Sequence, residues 1–329
     1  MLKLYAMLSV VLDHTLSRWI AGNIQTTQLY NWVFISQMPI FMFVAGYFSQ
    51  TGIYKTTSWM DCLKKLIKTI ESMMIPFITF AAFSSVIIGE NILFSSFLYP
   101  QKSLWFLWAL MWMQVLMLIS QQISKVLIKK ANKKMFVSMG LYVVGLIPIG
   151  VIYLWKPGLF DTKLIIFYSV FYLFGYIYSF TESKLKLLKT DKFKIACIPV
   201  LMAIVVFVMV RHPMVMFENE TIKNILSRFI GSFSAVLLML YLSSFAVKLK
   251  PVEKVAVFGV FSLEMYYMHL LLLRISFFIS PVHDFGLFIL KYILLVTISI
   301  IMILTIKSSW AVDLIVFGKL PTKVSRTVK

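Results

Sequence analysis

The sequence predicts an all-α integral membrane protein with about ten transmembrane helices and both termini in the cytoplasm. Composition, recurrent apolar runs and the placement of basic residues carry that prediction. Of 329 residues, 60% are hydrophobic and 14% are charged. A soluble domain is about 45–50% apolar and about 25% charged, so a soluble α/β chain of this composition would expose far too much apolar surface. Apolar runs of about 18–22 residues recur along the chain, each able to cross a hydrocarbon core of about 30 Å as a helix. A membrane β-barrel needs alternating strands of about ten residues, and these runs are continuous.

The predicted spans are 2–20, 31–50, 71–89, 104–123, 135–154, 163–180, 193–210, 226–247, 257–279 and 285–306. The first run carries Asp13, His14 and Arg18, and Ile20-Ala21-Gly22-Asn23 makes a poor cleavage site. Both features are wrong for a signal peptide, so the run reads as span 1. With the N-terminus inside, 23 of the 32 basic residues fall on cytoplasmic segments. Each cytoplasmic loop is richer in lysine and arginine than its outer neighbours, the positive-inside pattern for an even number of spans.

Residues 1–306 thus form one polytopic domain. Residues 307–329 form a basic cytoplasmic tail, in which Trp310, Leu314, Ile315, Val316 and Phe317 point to an interfacial helix. A net charge of +19 in a soluble protein would raise nucleic acid as a partner. Here the charge sits in short clusters between spans, which points to anionic membrane lipid and not to nucleic acid. Cys62 and Cys197 lie near predicted cytoplasmic ends, which argues against a structural disulfide. No Cys/His cluster has metal-ligand spacing, so no metal is expected.

Ionisable groups at membrane depth are costly and mark functional hypotheses. Span 1 offers Asp13, His14 and Arg18; span 9 offers Glu264, His269 and Arg274. At 100° per residue, Lys3 and His14 share a helix face, about 16 Å apart. That face is the candidate lining of a groove from the cytoplasm to His14. Arg18 falls near the same face, whereas Asp13 is rotated away from His14. Glu264, His269 and Arg274 point in three directions, so at most two face one cavity, and Arg274 can snorkel outward. An inter-helix hydrogen bond is the alternative use of either imidazole. Packing or an interfacial belt is the alternative for Trp105, Trp108 and Trp112.

Several motifs, in order, resemble the acyltransferase family 3 membrane proteins of bacteria, the fucose 4-O-acetylase-like branch among them. Lys3-Leu-Tyr-Ala-Met-Leu-Ser-Val-Val-Leu-Asp-His14 resembles the family's first span, and Gln37-Met-Pro-Ile-Phe-Met-Phe-Val-Ala-Gly-Tyr-Phe48 its second. Leu104-Trp-Phe-Leu-Trp-Ala-Leu110 resembles the fourth, Phe174-Gly-Tyr176 the close of the sixth, and Ser262-Leu-Glu-Met-Tyr-Tyr-Met-His269 a late segment. The resemblance implies transfer of an acyl group, usually acetyl from acetyl-CoA, to a hydroxyl of a cell-surface glycan or lipid-linked glycan. It implies no bound cofactor beyond the acyl-CoA co-substrate, and a bacterial cell membrane as the location. His14 would be the principal catalytic residue, with Asp13 or Glu264 orienting it. Lys3, Lys65 and Lys68 would bind the donor phosphates. Arg18 or Tyr266 would bind the thioester oxyanion, with Trp105 and His269 also lining the site. Where the family has arginines before a span-3 proline, this chain has Lys64, Lys65 and Lys68 before Pro76, with Glu71 intervening. Lysine keeps the charge but not the bidentate fork.

Ten spans with buried charges also suit a transporter or flippase of a glycan or small solute. The halves show no repeat, and Pro39 and Gly46 of span 2 have no counterpart five spans later. A non-enzymatic subunit of a polysaccharide export complex is the third reading.

Overall fold

Backbone amides and carbonyls have no water to bond within a bilayer, so each spanning segment must satisfy them internally. In the computed structural model the described residues are 1–19, 28–53, 58–88, 92–129, 131–211, 221–275, 282 and 284–318. They form helices and connecting turns, with no strand among them. The helices are α1 Leu2–Trp19, α2 Gln28–Ile53, α3 Trp59–Ile88, α4 Leu93–Leu98, α5 Trp105–Leu127, α6 Ala131–Gly145 and α7 Ile147–Trp155. They continue with α8 Thr162–Lys184, α9 Asp191–Arg211, α10 Ile222–Ala246, α11 Lys250–Ala256, α12 Ser262–Leu272, α13 Phe285–Lys307 and α14 Trp310–Phe317. Among the described residues nine segments are long and apolar enough to cross a membrane. α1 has spanning length too but carries Lys3, Asp13 and Arg18. The chain is an all-α, multi-pass membrane protein.

Most spans lie where hydropathy places them, and the differences have local causes. α3 begins at Trp59, well ahead of the predicted 71, so Lys64, Lys65, Lys68 and Glu71 are helical rather than loop. Hydropathy ends at a lysine, but helix propensity does not. Span 5 is broken at Leu146, with Pro148 in the first turn of α7, where a missing N–H is harmless. Span 9 lies nearer the N-terminus than predicted. It runs through α11, a 3-10 turn Val257–Phe261 and α12, and its last helical residue is Leu272. Predicted residues 276–279 lie outside the described residues, as do most of the outer loop 211–225 (212–220), the tail from 319, and Lys55 and Lys130.

The chain divides into two units: residues 1–44 with 177–300, and 45–176 with 301–329. In the first, α9 packs along α10, and Tyr30, Phe34 and Ile35 of α2 join Val205, Val208 and Leu238 in one buried cluster. α1 packs on the 3-10 turn and α12 of span 9.

In the second unit α5 packs between α3 and α6. Phe77, Phe97, Trp108 and Phe160 form an aromatic cluster with ring centroids 5.5–6.3 Å apart. Gly46 meets Tyr172 so closely that any Cβ there would collide with the Tyr172 carbonyl oxygen. The predicted tail helix exists as α14. Val316 and Phe317 are buried, and Thr79 of α3 donates to the Val316 carbonyl at 3.2 Å. Trp310, Val312 and Ile315 remain exposed.

Candidate active site

α1 and span 9 run side by side in one register. A Cβ on Gly259 would lie 3.1 Å from the Leu4 amide nitrogen. The His14 and His269 rings are 5.4 Å apart, tilted by 34°. The Arg18 guanidinium donates to the Leu273 carbonyl at 2.8 Å. All three pairs are separated by 255 residues, so the two segments run parallel without slipping, as two odd-numbered spans should. Gly259 permits the close approach at one end, and Arg18 closes the other. A cation on a carbonyl at the C-terminal end of α12 also satisfies a group the helix leaves unbonded.

The two imidazoles differ. His269 is completely buried, and its Nδ1 lies 2.7 Å from the Met265 carbonyl oxygen. A carbonyl only accepts, so Nδ1 carries the proton and Nε2 presents a lone pair. That Nε2 is buried with no hydrogen-bond partner among the described residues. His14 is half-buried. The Tyr266 ring stands 5.9 Å from His269.

The carboxylates lie elsewhere. Asp13 takes a hydrogen bond from the Gln37 side chain of α2. The register puts Glu264, fully buried, level with Ser9, about 7 Å along the axis from His14. The group placed against His14 is His269. Sequence reasoning had both histidines but not their contact, and it gave Gln37 no role. It also passed over Arg228, a buried residue whose guanidinium sits 5.2 Å from the Phe34 ring. Asp13 and Arg228 both act electrostatically on Tyr30. A charged residue inside an apolar span was the available signal for Arg228.

Lys3 is exposed at the start of α1. The face joining it to His14 is not an open groove, because Met7 and Val10 on that face are 3% and 2% exposed. Span 9 packs along α1 in this stretch, which the helical wheel of α1 alone does not reveal. Arg274 follows Leu273 directly. Burial, and then repulsion from Arg18, hold its guanidinium pKa below the ordinary value.

The remaining candidates belong to the second unit. Lys65 is half-buried and Lys68 exposed on α3. Lys125 of α5, absent from the sequence-based set, adds a like charge close to Lys65, and both act on the Cys62 thiol. Trp105 stacks on Tyr168 with centroids 5.4 Å apart, so its ring is used at least partly in packing.

An imidazole 5.4 Å from a second one with a committed Nδ1–H can accept and pass a proton. Such a pair at membrane depth fits an enzyme. The family model described as an acyltransferase domain, that of acyltransferase family 3, matches residues 1–307. The chain belongs to acyltransferase family 3. Neither a curated relative nor a solved structure matches it. As a member of this family it is a membrane acyltransferase, and the match takes in every segment that carried the resemblance. The rival readings of a flippase or export subunit have no comparable support.

Proposed function

We propose that this acyltransferase moves an acetyl group from acetyl-CoA to a hydroxyl of a cell-surface glycan, with His14 as general base. The protein sits in the bacterial cell membrane with both termini in the cytoplasm. The observation that carries the reading is the His14 ring lying 5.4 Å from that of His269.

In the proposed step His14 removes the proton from the acceptor hydroxyl as its oxygen attacks the thioester carbonyl. The oxyanion collapses, the C–S bond breaks, and the imidazolium returns the proton to the departing thiolate. General-base help of this kind contributes about 10²–10⁴-fold. His269, with Nδ1–H fixed on Met265, keeps an Nε2 lone pair on a ring whose centroid is 5.4 Å from that of His14, a second acceptor that can steady a proton there. Asp13 acts through Gln37 on the setting of α1, a positioning role. Arg18, one turn beyond His14, or Tyr266 supplies positive potential for the oxyanion.

Two sets of cations are candidates for the donor's phosphates: Lys3 in the first unit, and Lys65, Lys68 and Lys125 in the second. A lysine attracts phosphate as a point charge. Removing each set in turn and measuring KM for acetyl-CoA decides between them.

The test uses purified protein in detergent with acetyl-CoA and glycan. Wild type is expected to release free thiol and acetylate the acceptor, and His14→Ala to do neither. Thiol release that never depends on acceptor, or full activity in His14→Ala, overturns the proposal.

A further inference from the structure

Asp13 and His14 are successive residues of α1, set about 100° apart around the helix. The Asp13 side has a polar pair of its own. The Gln37 side chain of α2 donates to Asp13. A carboxylate only accepts, so Gln37 turns its Nε2 to Asp13 and its Oε1 away. Asp13 Oδ1 and Gln37 Oε1 are both buried and have no hydrogen-bond partner among the described residues. Asp13 as a whole is half-buried, as His14 is, and Gln37 is 3% exposed. Asp13 and Arg228 of α10 both act electrostatically on Tyr30. A cation is therefore in range of the carboxylate, and what Oδ1 lacks is a hydrogen-bond donor.

Buried atoms without partners occur elsewhere among the described residues, but many are of a different kind. The hydroxyls of Ser84 and Tyr142 can turn, because each both donates and accepts. Gln121 lacks a partner at Nε2 and Gln122 at Oε1, a donor and an acceptor on successive residues. Asp161 Oδ2 is followed along the chain by the Thr162 hydroxyl, which can donate. Asp13 Oδ1 and Gln37 Oε1 are both acceptors, so neither satisfies the other. The donor they call for must come from outside the pair. Tying α1 to α2 does not depend on them alone either. The Tyr5 hydroxyl lies 2.9 Å from that of Ser36, the residue before Gln37.

In the proposed function the reacting hydroxyl sits at His14. A sugar ring carries hydroxyls on successive carbons, so the one beside the reacting hydroxyl has a proton to donate toward the next residue of α1. We infer that Asp13 and Gln37 are the specificity-determining pair for the acceptor, accepting a hydrogen bond from the ring hydroxyl next to the one that is acylated. The acceptor is then a sugar with two adjacent free hydroxyls. A sugar whose second hydroxyl is missing or substituted is refused, since a site built to bond a hydroxyl discriminates against the analogue that lacks it. The inference rests on the proposed function in taking His14 as the place of the reacting hydroxyl.

Binding tests the pair without the chemistry. The methyl glycosides of glucose, galactose and N-acetylglucosamine are titrated against full-length wild type in detergent, and then the monodeoxy derivatives of the tightest. Removing either of two adjacent hydroxyls should weaken binding at least about tenfold. In Asp13→Leu one of those two penalties should vanish while the other stays. Gln37→Met should behave alike, and the double variant should lose no more than either single one, because both residues hold the same group. Unfolding midpoints of the same preparations show that each variant is folded, and either single variant suffices for the reading. Wild type that binds none of the glycosides overturns the inference. So do penalties that fall on hydroxyls not adjacent, and penalties that persist in both variants, because the pair then holds only water. Wild type that shows the paired penalties but never releases thiol from acetyl-CoA supports the pair and sinks the acetyl-transfer reading alone.

Discussion

The α1–α12 pair of the first unit and the α3–α5 pair of the second differ in the kind of polar side chain they bury. Between α3 and α5 one polar atom is used in structure, while Ser84 Oγ, Gln121 Nε2 and Gln122 Oε1 are buried with no hydrogen-bond partner among the described residues. The Trp108 indole N–H donates to the Phe160 carbonyl at 3.1 Å and holds a turn in which Phe160 and Asp161 have φ of 55° and 50°. The charges of this pair, Lys65 and Lys125, gather around Cys62. Between α1 and α12 one imidazole nitrogen is used in structure, on Met265, and the other has no hydrogen-bond partner among the described residues and lies on a ring beside that of His14. A buried nitrogen without a partner costs about 1–3 kcal/mol. The α3–α5 pair carries the same kind of cost on hydroxyl and amide atoms, which cannot take up a proton near neutral pH. The difference teaches that neither polarity at membrane depth nor an unpartnered atom by itself marks a site. A lone pair on one imidazole placed beside a second imidazole does.

The most severe way to break the comparison is at His14. His14→Ala should lower kcat/KM by about 10²–10⁴-fold while the protein still accumulates in the membrane, since α1 is held to span 9 by the Gly259 approach and by Arg18 on Leu273. Acetyl transfer above a tenth of wild type would remove His14 from the chemistry.

His269 comes next. His269→Gln keeps an amide that can reach Met265 but offers no imidazole lone pair to His14. The expected result is a fall in kcat of about 10–100-fold with KM for acetyl-CoA unchanged, a loss confined to the transition state. A purely structural His269 would instead lower thermal stability and leave kcat per folded molecule intact. Measuring both on the same preparation decides.

How much of this was legible in the sequence depends on the kind of contact. α1 is a hydropathy and charge pattern, and its observed limits agree with the predicted ones to a residue. The start of α3 was missed because lysines end an apolar run without ending a helix. Both imidazoles were visible as costly residues in apolar spans, but their pairing crosses 255 residues. No local periodicity encodes such a contact. The helical wheel placed Lys3 and His14 on one face correctly, and it had no means of showing that span 9 packs along α1 there and that Met7 and Val10 are buried. Gln37 and Lys125 were missed for a related reason. A glutamine at a motif edge and a lysine at a helix end gain meaning only from what a second helix brings beside them.

The lysines of the second pair sharpen the comparison by a different measurement. Lys65→Ala with Lys125→Ala should raise KM for acetyl-CoA by about 5–10-fold, about 1 kcal/mol in all, and leave kcat unchanged. Lys3→Ala, tested alone, asks the same of the first unit. If the double variant leaves KM where it was and Lys3→Ala raises it, the donor's phosphates belong to α1, and the α3–α5 lysines act only in anchoring the helices to anionic lipid.

The smallest expected effect lies at Trp108. Trp108→Phe keeps a ring that can pack on Phe77 and Phe97 and removes only the N–H that meets the Phe160 carbonyl. A hydrogen bond of this kind contributes about 1 kcal/mol net. The loss should appear as a modest fall in the unfolding midpoint in detergent, with kcat and KM for acetyl-CoA unchanged. A residue in αL that is not glycine is held there by its surroundings, so losing that bond should also make the 158–161 turn more susceptible to protease. Unchanged stability together with a marked fall in kcat would mean that the aromatic cluster takes part in the reaction. The contrast between a pair that catalyses and a pair that supports would then have to be given up.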